Sequence, residues 1–156
     1  RSIGVSNMTV NIWDQWVPQF DTMPAVNQVE YNPFFQQREL KKKLDAINVR
    51  LEAWYPLGHG NKDLLEHPLV LRMAEKYEKN GGQIVLRFAV QEGVIVLPKS
   101  TNAKRMKGNL DIFDFSLTNL EMESIRALDM GKGIHNPDEK GVAERLLSAF
   151  NVHVDE

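Results

Sequence analysis

GVIVLPKSTNAKR, residues 93–105, is an apolar run that stops at Pro98 and passes at once to Lys99, Ser100 and Arg105. Four consecutive branched aliphatic residues between Gly93 and Pro98 read as a buried strand. Two cations and a hydroxyl at its exit, with a helix opening near Asn102, make a local anion site. Backbone N–H groups and the positive dipole end of that helix add to it. A buried strand that ends in such groups belongs to a sheet whose edge binds a ligand, so the neighbouring segments must show what sheet it is.

Upstream, strands and helices alternate. Ile3-Gly4-Val5 reads as the tail of a strand, followed by a helix from Val10 to Phe20 that closes around Pro18. AVNQVEY (25–31) and VRLEAWYPL (49–57) have the β-branched, near-alternating pattern of strands, the second ended by Pro56 and Gly58. Between them, QQRELKKKLDAI (36–47) places Leu40, Leu44 and Ile47 on one helical face. LVLRMAEKYEK (69–79) aligns Leu69, Met73 and Tyr77. Gly81-Gly82 then reads as a break before a second helix over 83–93. Beyond the 93–98 strand, a helix is expected over 102–112. The capping box Thr118…Glu121 opens another, to about Asp129, and a late helical piece falls near 142–150. Strands alternating with amphipathic helices predict an α/β fold, a parallel sheet with outer helices.

The bulk properties exclude several classes. The 156 residues suffice for about one domain, and a net charge of -2 offers no global field for nucleic acid or anionic membranes. The absence of cysteine removes disulfide, thiolate and Cys–zinc chemistry and suits a cytoplasmic protein. No apolar run approaches the roughly 20 residues of a membrane span. His59, His67, His135 and His153 share no ligand spacing, so no metal site is expected, and they read as solvated loop histidines. No G-x-S-x-G elbow, G-x-G-x-x-G or G-x-x-x-x-G-K-[ST] loop occurs. Asn7-Met8-Thr9 matches a glycosylation sequon, taken as chance. The chain opens on RSIGVSN, without Met, and the natural protein is expected to begin upstream.

Ligand chemistry gathers at the strand ends. Ser6-Asn7, Gln28, Trp54-Tyr55 and Lys99-Ser100 each fall near the C-terminal end of a strand. Hydroxyl and amide groups there could pin an amide-bearing ligand, and Lys99, Ser100 and Arg105 could hold phosphate. Trp54 is open between a ring-stacking role and a core aromatic, and Lys99-Ser100 between a phosphate grip and a solvated strand exit. Glu30 and Glu52, each within a strand, could act as paired carboxylates; the plainer reading is that each satisfies a lysine or a backbone donor. Trp13 and Trp16 are read as helix packing.

The motifs GVSN (4–7), PAVNQVEYNP (24–33), AWYPLGHG (53–60) and VLPKSTNAKRMKGNLDIFDFSLT (96–118) resemble the C-terminal half of an aldo-keto reductase. The likeness leans toward the bacterial 2,5-diketo-D-gluconate reductase branch and runs from Arg1 to about His153. The resemblance implies the C-terminal half of a (β/α)8 TIM barrel. Residues 1–156 would be a single partial domain, with 131–156 a C-terminal loop and tail bordering the substrate pocket. It also implies NADPH-dependent reduction of small-molecule aldehydes and ketones.

By the same resemblance, Ser6, Asn7 and Gln28 would hydrogen-bond the nicotinamide carboxamide, and Trp54 would stack on its ring. Leu57 and Gly58 would lie along the pyrophosphate, while Lys99, Ser100 and Arg105 would hold the 2′-phosphate that selects NADP. Asn109 would reach the adenine. Many relatives carry an acidic residue just before that asparagine; Gly108 stands there instead, which loosens the adenine end. The family's catalytic Asp, Tyr, Lys and His motifs do not occur in the chain, and neither Tyr31 nor Tyr55 is assigned in their place, so no catalytic residue is expected. An eight-unit barrel needs about 250 residues. The complete protein is expected to be a monomer. The 156 residues alone are expected to be inactive and to need the N-terminal half or self-association. The alternative is a non-catalytic scaffold of the same fold, or a fragment that assembles with another chain.

Overall fold

A computed structural model describes residues 1–142. The helical piece expected near 142–150 falls, from residue 143 on, outside the described residues, as does the end of the expected tail. Four strands form one sheet in chain order: β1 (Gly4–Ser6), β2 (Val26–Glu30), β3 (Arg50–Trp54) and β4 (Ile95–Val96). Every pairing is parallel, with Ser6 opposite Gln28, Gln28 opposite Glu52 and Glu52 opposite Ile95. Each connection therefore has to return over the sheet through helices.

The period of two divides the sheet into unlike faces. Asn27, Val29, Leu51, Ala53 and Val94 are buried beneath helices. On that side lie α1 (Val10–Trp16), α2 (Arg38–Ala46), α3 (Lys62–Leu65), α4 (Pro68–Tyr77) and α5 (Gly81–Gln91). Trp13, Leu40, Leu44, Val70, Met73, Ile84, Val85 and Phe88 complete this core. The other face carries Ser6, Gln28, Glu30, Glu52, Trp54 and Ile95. Beyond β4 follow α6 (Ala103–Leu110) and α7 (Asn119–Arg126). Parallel strands under a helix layer are the expected α/β arrangement. Among the described residues no helix is long and apolar enough to cross a membrane.

Local signals explain most element ends. Thr9 accepts from the Ile12 amide and starts α1, and the Thr118–Glu121 capping box starts α7. Several expectations change. Gly81-Gly82 does not interrupt a helix; both residues form the first turn of α5, behind a second capping box, Asn80 with Gln83. Glycine is required at 81 because a Cβ there would lie 2.0 Å from the Leu65 carbonyl oxygen. Ile47 is 40% exposed, since α2 stops at Ala46 and the chain turns away. Trp13 is buried but Trp16 is exposed, so only the first packs. The 93–98 run is shorter and less buried than its composition suggests. Ile95 and Val96 pair with β3, the Leu97 amide adds a last bond to the Ala53 carbonyl at 3.3 Å, and Ile95 and Leu97 face outward on the uncovered side.

Candidate functional site

The C-terminal ends of the strands turn sharply. Asn7, directly after β1, and Tyr55, directly after β3, both adopt left-handed backbone conformations, with φ of 56° and 55°. Asn tolerates that region; a bulky tyrosine rarely does, and such residues concentrate where a site demands an exact backbone path.

Ser6, Asn7, Gln28 and Trp54 meet on the uncovered face. The Trp54 indole Nε1 donates to Asn7 Oδ1 at 3.1 Å, and the Asn7 amide N–H donates to the Gln28 carbonyl at 2.8 Å. Ser6 Oγ donates to that same carbonyl at 3.2 Å. Gln28 Nε2 donates to Glu52 Oε1 at 2.6 Å, which fixes the orientation of the Gln28 amide. These bonds leave Asn7 Nδ2 as a donor, with Gln28 Oε1 and the Ser6 oxygen as acceptors. One donor and two acceptors complement a primary carboxamide, whose oxygen accepts and whose nitrogen donates twice. The residues present therefore fit the amide end of a nicotinamide.

Lys99, Ser100, Arg105 and Asn109 line a single cleft of about 460 Å³, together with Leu57 and Tyr55. Ser100 Oγ accepts from the Asn102 amide, and Asn102 in turn caps the Arg105 amide. That cap uses the Arg105 N–H, while the first-turn amides of Ala103 and Lys104 have no intrahelical acceptor. Lys99 and Arg105 are exposed and make no ion pair among the described residues. A pair of unpartnered cations beside a hydroxyl fits a phosphate. Gly58 lies outside this cleft and borders a neighbouring hollow with Asn61 and Met130.

The carboxylates are not a catalytic pair. Glu52 accepts from Gln28 rather than from a lysine, while Glu30 accepts the Ile134 amide at 2.8 Å, as a backbone donor. Burial pushes the Glu30 carboxyl above its usual range, against the lowering effect of the Ile134 and His135 amides. Tyr31 is buried in the core, and burial pushes its hydroxyl upward as well, with Glu92 and Asp129 adding to the shift. No cluster of potential metal ligands occurs among the described residues.

Three contributors carry little signal in the sequence. Asn80 and Gly82 line the 460 Å³ cleft. The spacing of Asn80 and Gln83 could have revealed the first, had the glycines not masked the helix start. His135, expected as a solvated loop residue, stacks near Trp54 with ring centroids 6.3 Å apart and planes inclined by 26°.

The model of the Aldo/keto reductase family matches residues 1–130. The chain is 39% identical over 140 residues to the glyoxal reductase of Bacillus subtilis, covering 89% of this chain and 50% of that protein. It is 36% identical over 161 residues to the morphine 6-dehydrogenase of Pseudomonas putida, covering 96% and 54% respectively. Among solved structures it resembles the NADPH complex of a Gox0644 mutant, with a TM-score of 0.82 and 38% identity over 88% of this chain and 51% of that one. The chain thus spans about half the length of the relatives it matches.

Proposed function

Starting from the premise that the chain belongs to the aldo/keto reductase family, we propose that it forms the cofactor-holding wall of an NADPH-dependent carbonyl reductase. The observation that carries this reading is the order of groups along one sheet edge. The carboxamide-matching set spans the end of β1 and the middle of β2, Trp54 ends β3, and the cationic cleft follows β4. Three inter-strand spacings separate the outer ends, about 14 Å in all. An extended dinucleotide has that order of length.

A reduced nicotinamide cofactor, when bound, supplies a hydride to a carbonyl carbon. In this reading Ser6, Asn7 and Gln28 fix the carboxamide, and thereby which ring face is presented. Trp54, held by Asn7, supplies the flat surface against which the ring rests. Leu57 and Gly58 border the path of the pyrophosphate, and Asn109 lies toward the adenine. Lys99, Ser100 and Arg105 select the 2′-phosphate, because only NADP carries that anion there.

Residues 1–156 then act as one partial domain, the C-terminal half of a (β/α)8 barrel with 131–156 as its tail, in the manner of the 2,5-diketo-D-gluconate reductase branch. The proton donor comes from strands outside this chain, so the 156 residues alone do not turn over. The complete protein would be a cytoplasmic monomer acting on a small aldehyde or ketone, without a nucleic-acid or membrane partner.

Fluorescence titration of this chain with NADPH and with NADH tests the reading. NADPH is expected to bind the more tightly of the two. Equal affinities would overturn the phosphate assignment, and no binding of either, with the N-terminal half joined to the chain, would overturn the cofactor site.

A further inference from the structure

Segment 133–138 crosses the uncovered face of the sheet directly above Trp54. Its first anchor is Glu30, which stands opposite Trp54 in the β2–β3 register and is 4% exposed. Glu30 Oε2 accepts the Ile134 amide at 2.8 Å, and the His135 backbone follows directly beside the same carboxylate. The approach is close enough that a Cβ on Gly133 would lie 2.7 Å from Glu30 Oε2 and 2.7 Å from Phe35 Cε1. At the far end, Asp138 accepts from Thr9 Oγ1 and from Asn11 Nδ2. The segment is therefore stapled by one carboxylate at each end, and between the staples it lays His135 near the indole.

The spacing of the two rings decides what this does. A flat ring sandwiched between two others needs about 7 Å, twice a contact distance of roughly 3.5 Å. The Trp54 and His135 centroids are 6.3 Å apart. The nook bordered by Trp54, His135, Glu30 and Asn7 holds about 20 Å³, room for about one water. With the segment docked, the slot is too narrow to admit a ring.

We propose that Glu30 is a positioning residue that latches segment 133–138, so that His135 shuts the slot over Trp54 and a nicotinamide ring is admitted only when the latch opens. The latch rests on geometry alone; the identity of the admitted ring rests on the cofactor reading given above. Nothing covalent is involved: the Ile134 amide hydrogen bond to the Glu30 carboxylate is exchanged for one to water, and the segment swings from its Asp138 end.

The test separates latch from gate. Hydrogen exchange at the Ile134 amide, in the chain without cofactor, reads the latch. Glu30→Ala is expected to accelerate it at least tenfold, and Glu30→Gln, which keeps an oxygen in place, to restore most of the protection. Gly133→Val, which pushes the segment away without altering the carboxylate, should match Glu30→Ala. Stopped-flow mixing with NADPH reads the gate: Glu30→Ala, Gly133→Val and His135→Ala should each raise the association rate severalfold. A merely structural role for Glu30 would lower affinity and leave association no faster. Unchanged amide exchange in both Glu30→Ala and Gly133→Val overturns the latch. Faster exchange with an unchanged association rate overturns the gate and spares the cofactor site. Failure of NADPH to bind any form overturns both the cofactor reading and the gate, while the exchange data still decide the latch.

Discussion

The indole of Trp54 hangs from the side chain of Asn7, across the 47 residues that separate them in the chain. One amide thus sets the plane of the ring on β3 and, with its remaining nitrogen, offers a donor to whatever rests on that ring. Asn7→Gly keeps the left-handed backbone that φ of 56° requires and removes only the side chain. It is expected to weaken NADPH binding by roughly fivefold to tenfold, the worth of one net hydrogen bond. The Trp54 contribution to fluorescence should also become easier to quench by acrylamide, measured as the difference from Trp54→Phe.

Arg105 is exposed and lines the cleft with Lys99 and Ser100. Replacing it with alanine should cost NADPH roughly tenfold or more in affinity and NADH much less, since a charge-assisted bond to phosphate is lost only with the former. Parallel titrations of both cofactors measure the ratio, which should fall toward one.

Two glycines invite opposite outcomes. At Gly81 a methyl group would collide with the backbone oxygen of Leu65, at 2.0 Å. Gly81→Ala should destabilise the chain by about 2 kcal/mol or more. Gly108 sits inside α6, where a Cβ meets only Asn80 Nδ2, at 3.9 Å. Gly108→Ala should stabilise by about 0.5–1 kcal/mol, through the helix preference alone. Thermal melts of both variants decide the pair.

Glu121 closes the α7 capping box and also receives Lys76 and Tyr77. Burial pushes its carboxyl up, but bonds from Lys76, Tyr77 and Thr118 outweigh it and hold the group down to about 2 from an ordinary 4.5. A depressed carboxyl stabilises the fold when ionised. Its contribution is therefore complete above about 4.5 and is lost as pH falls toward 2. Glu121→Ala should lower stability at neutral pH by about 1–3 kcal/mol and flatten the acid limb of a stability–pH curve.

The uncovered face also bears on association. Ile3, Ile95 and Leu97 are 46%, 39% and 48% exposed at or beside the two edge strands. Unpaired edges carrying apolar side chains favour contact with another strand. Sedimentation of the 156-residue chain should show self-association that strengthens with concentration. A compact monomer that melts cooperatively at all concentrations would contradict it.

What the sequence disclosed depended on how local the cause was. Leu40 and Leu44 announced the buried side of α2, and Thr118 with Glu121 announced α7, because those contacts lie within four residues. Ser6 and Trp54 could be placed at strand ends from pattern alone, whereas Gln28, expected near the end of its strand, is the middle residue of β2; register puts all three on one face. The length of β4 was hidden, since pairing with β3, not composition, decides it. Glu30 and Ile134 are 104 residues apart, and no spacing rule reaches that far. The place of His135 near Trp54 follows from that bond, so it was equally invisible.

The strict alternation of the two sheet faces has a consequence for descent. In β2 and β3, Asn27, Val29, Leu51 and Ala53 maintain the packed layer, while Gln28, Glu30, Glu52 and Trp54 lie on the other face, where a ligand is proposed. Odd and even positions therefore carry different physical constraints. Substitutions can accumulate on the ligand side with little strain on the core, so a lineage can try new substrates without first surrendering its fold.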